Sequence, residues 1–203
     1  SANFFQSRTT VTTAAGVTSF HTDSTKALGL TGTAGTYTLT FTSTGLTDAT
    51  ASVVLSPGAA HHLSITASNS AANATAFASQ PVVTIYDASN NVVTGSTTLV
   101  SLSATGATIG GTYTMNANSG VANFIGNGVK LTGTTGLKTL TASINSGAIS
   151  ANTSVQLTVG SATQLAITTS AAQATSRAVF GVQPVIEIQD VSGNVLSAET
   201  TAI

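Results

Sequence analysis

An all-β fold is predicted by three features of the sequence. Apolar residues recur with a period of two, clusters of Asp, Asn, Ser and Gly punctuate them, and no stretch carries a helical period. The chain has 203 residues, of which 41% are apolar, enough to build a core. Only 5% are charged, and the polar remainder is largely Thr, Ser, Asn and Gly. That balance suits strands and short turns rather than disorder, which favours Glu, Lys and Pro.

The elements follow in order. Leu63 and Ile65 alternate with polar neighbours, as do Val83 and Ile85, then Leu140, Ala142 and Ile144, then Val155, Leu157 and Val159. Such alternation places one face of each strand in a core. The cluster DASNN (87–91) follows the second of these strands and predicts a turn. Its Asp bonds the next backbone amides, and an Asn sits where φ must be positive.

Most of these segments occur twice. QPVVTIYDASNNVV (80–93) returns as QPVIEIQDVSGNVL (183–196), HHLSIT (61–66) as TQLAIT (163–168), and ASVVLSPG (51–58) as TSVQLTVG (153–160). GVTSF (16–20) matches GVANF (120–124), and TYTLTF (36–41) matches LKTLTA (137–142). The second copies keep the inward set: Leu165 and Ile167, Ile186 and Ile188, Leu39 and Phe41, Val53 and Leu55. A period of roughly a hundred residues marks an array of domains rather than a solenoid of small repeats. About seven short strands per period make an immunoglobulin-like sandwich the economical fold. An outer-membrane barrel fits less well, because three Tyr and seven Phe form no aromatic girdles.

Residues 59–160 make one complete period. Residues 1–58 align with the later part of a period and 161–203 with its earlier part, so the expected organisation is one complete and one split domain. Each flank exposes an apolar strand face, and such an edge invites pairing with another chain. The residues expected to form the split-domain core are Val17, Phe20, Leu39, Phe41, Val53, Leu55, Leu165, Ile167, Ile186 and Ile188. A neighbouring copy or the onward polypeptide completes it, giving a linear assembly. The intramolecular alternative joins the two flanks of one chain and requires Gly58 and Gly160 to lie near each other.

The cassette of LSIT, QPVVTIYDASNNVVTGST, GVANF and KTLTASINSGAISANTSVQLTVG resembles the tandem Ig-like modules of large bacterial and archaeal surface proteins, the Big or invasin-like repeats. The resemblance covers essentially the whole chain. It implies an extracellular or cell-surface location and a structural role in a filament, stalk or surface layer. The same module serves in adhesins and as a spacer in secreted enzymes, and these are the alternatives it leaves open. DASNN departs from the Gly-Asn turn of those modules, a small change because Asn tolerates positive φ.

Chemistry has little support in the sequence. Five cations against six acids give a net charge of −1, which supplies no basic surface for nucleic acid. The uncharged stretch from Lys138 to Arg177 is interrupted throughout by polar residues, so no membrane insertion is expected. With no cysteine, disulfides and thiolate metal sites are excluded. The histidines His21, His61 and His62 lack counterparts in the other copy, and adjacent residues on a strand face opposite ways. Asp87 and Asp190 offer oxygens of the kind calcium takes, but no second carboxylate accompanies either, and turn capping is the expected role. A Lys crosslink of the kind found in Ig-like surface proteins has Lys26 and Lys130 as candidates, at non-equivalent places. No catalytic residue, metal or cofactor is therefore expected. Asn73 (NAT) and Asn152 (NTS) are acceptor sequons for glycans. The expected partners are other copies of the chain.

Overall fold

A computed structural model describes the backbone of residues 2–6 together with residues 16, 17, 20, 28–200 and 203. His21 and Lys26 lie outside the described residues. The described chain is all-β, with several sheets and no α-helix; a single 3-10 turn spans Asn145–Gly147. Sixteen strands are present among the described residues. The chain divides into two compact units, residues 1–61 with 85–94, and residues 62–84 with 95–203.

Among its described residues the first unit contains two two-stranded sheets. Strand β1 (Ala2–Gln6) pairs antiparallel with β2 (Gly29–Gly32), and β3 (Gly35–Phe41) pairs antiparallel with β4 (Ala49–Leu55). The inward residues Leu39, Val53 and Leu55 are only half-buried, and Phe41 is 37% exposed. Its ring lies 5.9 Å from that of Phe20.

The second unit carries most of the buried residues; of the strand over Val82–Tyr86 only residues 82–84 fall in it. Strands β5 (His62–Thr66), β6 (Ser70–Ala72), β7 (Val82–Tyr86) and β8 (Leu99–Thr105) are followed by β9 (Thr108–Gly110) and β10 (Thr114–Asn116). Next come β11 (Val121–Asn123), β12 (Lys130–Thr132), β13 (Gly136–Ile144) and β14 (Ile149–Thr158). One sheet has the order β10-β8-β13-β14-β6, another β11-β7-β5, and β12 pairs with β9. All pairings in the large sheet are antiparallel except β14 with β6, which is parallel. Strand β5 lies against β14, so the apolar faces of the two larger sheets meet, consistent with a β-sandwich.

Alternation explains that core. Along β13, Lys138, Leu140, Ala142 and Ile144 are buried while the residues between them are not. Val155 and Leu157 of β14, Val100 and Leu102 of β8, and Val83 and Ile85 of β7 are likewise buried, with Phe124, Val129 and Leu131 closing the margins. Lys138 starts the inward row of β13 and snorkels, its Nζ lying 3.4 Å from the Thr134 hydroxyl.

The same alternation is present but uncovered in the last hairpin, β15 (Gln164–Thr169) with β16 (Val185–Gln189). Leu165 is 58% exposed and Ile167 67%, whereas their counterpart Leu63 is 7% exposed. Ile186 is exposed and Ile188 is half-buried. Val17 is exposed, so none of the ten residues expected to form a split core is buried within the described chain. Pattern alone does not bury a side chain; a covering sheet must lie above it.

Candidate functional site: two hydrogen-bonded joints

The turn predicted at DASNN forms as expected. Asp87 accepts bonds from the amides of Ser89 and Asn91 at 2.8 Å each, and Asn90 has φ 62°. At the second copy Asp190 accepts from the amides of Ser192 (2.9 Å) and Asn194 (3.0 Å), with Gly193 at φ 78°. Both are Asx turns with a left-handed residue at the same place.

Each turn also reaches well beyond itself. Asp87 Oδ2 accepts the backbone N–H of Gly58 at 2.8 Å, and Asp190 Oδ2 accepts that of Gly160 at 2.9 Å. Gly58 and Gly160 end the matching segments ASVVLSPG and TSVQLTVG. The Asn four residues after each Asp completes the set. Asn91 donates its amide to Asp87 Oδ2 (2.9 Å) and to the carbonyl of Gly32 (2.8 Å), while its Oδ1 accepts from Ala34 N–H at 2.7 Å. Asn194 donates to Asp190 Oδ2 (2.9 Å) and to the carbonyl of Gly133 (3.0 Å), and its Oδ1 accepts from Thr135 N–H at 3.0 Å. Three chain segments are thus tied together at each joint: the turn, the glycine after a long strand, and the strand end LTGT (30–33 or 131–134).

The second joint holds one residue more. Asn73 Nδ2 donates to Asp190 Oδ2 at 2.8 Å and to the Ser192 hydroxyl at 2.9 Å, and its Oδ1 accepts from Gly133 N–H at 2.9 Å. Asn73 is buried at 2% exposure and Asp190 at 0%. The sequon at Asn73 therefore has its acceptor nitrogen committed to two bonds inside the joint, and a glycan there requires the joint to open. Asn152 stands exposed on β14, opposite Thr141.

Hydrogen bonding sets the electrostatics. The Asn91 amide, the Gly58 N–H and the turn amides favour the ionised Asp87 carboxyl and lower it from 3.8 to about 2, against the opposing effect of burial. For Asp190, burial pushes the carboxyl up; the Gly160 N–H, the amides of Asn194 and Asn73 and the Ser192 N–H outweigh it, leaving the group well below the usual carboxylate range. Each depressed carboxyl contributes stability that is fully present above its unfolded value and lost as pH falls through its folded one. Thermal midpoints should therefore be level from neutrality to about pH 4.5 and decline below the ordinary Asp value of about 3.9, Asp87 giving up its share down to about pH 2. The wild-type minus Asp190→Asn difference should fall along the same course; a difference that grows on acidification contradicts the linkage.

The chemistry available to the joints is that of fastening. Both carboxylates face N–H donors, the opposite of a cation's ligand shell. Among the described residues no group of three or more His, Cys, Asp or Glu stands together. His62 begins β5, with His61 just before it, and Lys130 lies in β12, bridged to Ala76. The chain matches no family model and no curated protein. No helix among the described residues is long and apolar enough to cross a membrane.

Sequence reasoning reached the Asp residues and their turns but missed Asn91, Asn194, Gly58, Gly160 and the joint role of Asn73. A signal existed: the D-x-x-x-N spacing and the strand-ending glycine occur in both copies. Asn73 gave a misleading one, since its tripeptide also reads as a sequon.

Proposed function

We propose that the chain is a non-enzymatic structural unit built of Ig-like sandwich repeats, residues 59–160 forming one repeat and residues 1–58 and 161–203 parts of two others. It serves in an extracellular filament, stalk or surface layer. Units follow one another head to tail: the hairpin of Leu165, Ile167, Ile186 and Ile188 meets the hairpin of Leu39, Val53 and Leu55 of the next unit. The observation that carries this reading is the doubled joint. One set of bonds, from Asp and Asn to a glycine and a loop, recurs at matching places of two successive repeats. A fastening repeated with the sequence period is what a load-bearing array needs at every junction, and each buried carboxylate is occupied by it. The extracellular setting follows from the resemblance of the cassette to surface-protein repeats.

Sedimentation over a concentration series, with electron microscopy of the same samples, tests the assembly. The wild-type chain should form linear multimers, and Ile188→Asp should abolish them while the 59–160 core still unfolds cooperatively. Multimers that persist unchanged in Ile188→Asp place the contact elsewhere; a wild-type chain that stays monomeric at every concentration overturns head-to-tail joining of separate chains.

A further inference from the structure

In the complete repeat, one side chain fastens the segment leading into β7 to the start of β12. Gln80 Oε1 accepts the N–H of Val129 at 2.8 Å, while Gln80 Nε2 donates to the Val129 carbonyl at 3.1 Å and to the Phe77 carbonyl at 3.0 Å. A primary carboxamide, donor and acceptor at once, can grip both backbone groups of one residue. The backbone beside it joins in: Phe77 N–H donates to the Val129 carbonyl, Ala74 N–H to that of Leu131, and Ala76 bridges antiparallel to Lys130. Phe77 and Pro81 are buried there.

The last repeat carries the same segment with nothing in its grip. Turn bonds fix the correspondence. Ala178 N–H donates to the Thr175 carbonyl as Thr75 N–H does to that of Ala72, and Arg177 (φ 67°) is left-handed like Ala74 (φ 59°). Gln183 Nε2 donates to the Phe180 carbonyl at 3.0 Å, as Gln80 does to that of Phe77. Residues 177–183 therefore match 74–80. Gly181 and Val182 are bound back to Gln173 and Ala172, as Ser79 is to Ser68, and none of these groups belongs to the clamp. Among the described residues Gln183 Oε1 and the N–H groups of Arg177 and Phe180 have no partner. Phe180, Gln183 and Pro184 are exposed.

The matching acceptor lies at β2. LTGT recurs at 30–33 and 131–134, so Leu28, Gly29 and Leu30 match Val129, Lys130 and Leu131. Strand β2 pairs with β1 alone among the described residues, and the Leu28 N–H and carbonyl have no partner among them. Chain order decides which copy supplies it. In the complete repeat the carboxamide precedes its acceptor by 49 residues. Leu28 instead comes before Gln183, with the whole repeat 59–160 between them, so the acceptor that follows Gln183 is the Leu28 of a further copy.

We infer that residues 177–183 dock antiparallel on the outer edge of β2 of a second copy of this chain, the Gln183 carboxamide clamping the Leu28 N–H and carbonyl. Val179 then lies opposite Gly29, Phe180 N–H shares the Leu28 carbonyl, and Arg177 N–H meets that of Leu30. This contact belongs to the head-to-tail assembly proposed above and rests on it. Apolar hairpin faces attract without direction; the clamp, made of directed bonds to one residue, fixes the register in which they meet.

The chain has no cysteine, so an engineered disulfide reads the contact directly. The counterpart pair Ala76 and Lys130 is an antiparallel bridge, a spacing that a disulfide spans. Val179→Cys and Gly29→Cys chains, mixed and oxidised with glutathione disulfide, should form a mixed covalent dimer about tenfold faster than either chain alone. Adding Gln183→Glu to the Val179→Cys chain should slow it about tenfold, because an anion then faces two carbonyls and donates to neither. Thermal unfolding separates clamp from fold: Gln80→Glu should lower the midpoint by about 2–4 °C, and Gln183→Glu should leave that of the lone chain nearly unchanged. A mixed dimer no faster than the single variants, or one indifferent to Gln183→Glu, overturns the inference, as does a double Gly29→Cys, Val179→Cys chain that closes within one monomer. If the wild-type chain forms linear multimers and the link still fails, head-to-tail assembly stands and this contact is wrong; if the link forms, depends on Gln183 and stops at dimers, the contact stands and the linear assembly is wrong.

Discussion

Leu140→Ala should lower the stability of the full chain by about 2–5 kcal/mol, whereas Leu165→Ala should change it by less than about 0.5 kcal/mol. Both leucines occupy inward positions of alternating strands, and a sequence pattern ranks them alike. Leu140 is 0% exposed, on the middle strand of a five-stranded sheet, so removing its branched end loses transfer energy and leaves a cavity. Leu165 is 58% exposed, and truncation there removes little that was buried. Urea unfolding followed by circular dichroism gives both values. Repeating the Leu165→Ala measurement on multimers carries the comparison further, because a covered Leu165 then behaves like its counterpart Leu63. Equal and large losses for both variants in the monomer would show the last hairpin already covered.

The contrast defines how much was legible. Period-two alternation placed β5, β7, β13 and β14 with the right residues inward, save Val159, which lies past the end of β14 and is exposed, because local pattern decides which face of a strand is apolar. It could not say which faces are covered, since covering depends on a second sheet elsewhere in the chain or in another molecule. The turns at Asp87 and Asp190 were legible for a similar reason: an Asx turn is closed within four residues. The rest of each joint joins positions far apart, Asn73 with Asp190 and Asn91 with Gly32, and no local rule connects them. Only the recurrence of Gly58 and Gly160, and of Asn91 and Asn194, marked those places.

Asp190→Ala should have the second large effect, about 2–4 kcal/mol, from loss of charged hydrogen bonds and the stranding of their donors. Gly160 N–H, the Asn73 amide and the Asn194 amide all end on this carboxylate. The small apolar replacement accepts none of them, and water must enter or the segments must part. Asp190→Asn is the sharper variant, being nearly isosteric: it keeps one acceptor oxygen and turns an NH₂ toward groups that are themselves donors. Hydrogen exchange separates a joint from a merely local turn. If the joint fastens segments, both variants speed exchange at Gly160 and Gly133, far from residue 190 in sequence, as well as at Ser192 and Asn194. If only Ser192 and Asn194 respond, the carboxylate shapes its own turn and the fastening lies elsewhere. A third variant, Asn73→Ala, apportions the cost, because it empties the socket while leaving the bonds to Gly160 and Asn194 in place. Its loss should be smaller than that of Asp190→Ala, because the carboxylate keeps its bonds from Gly160 N–H and the Asn194 amide.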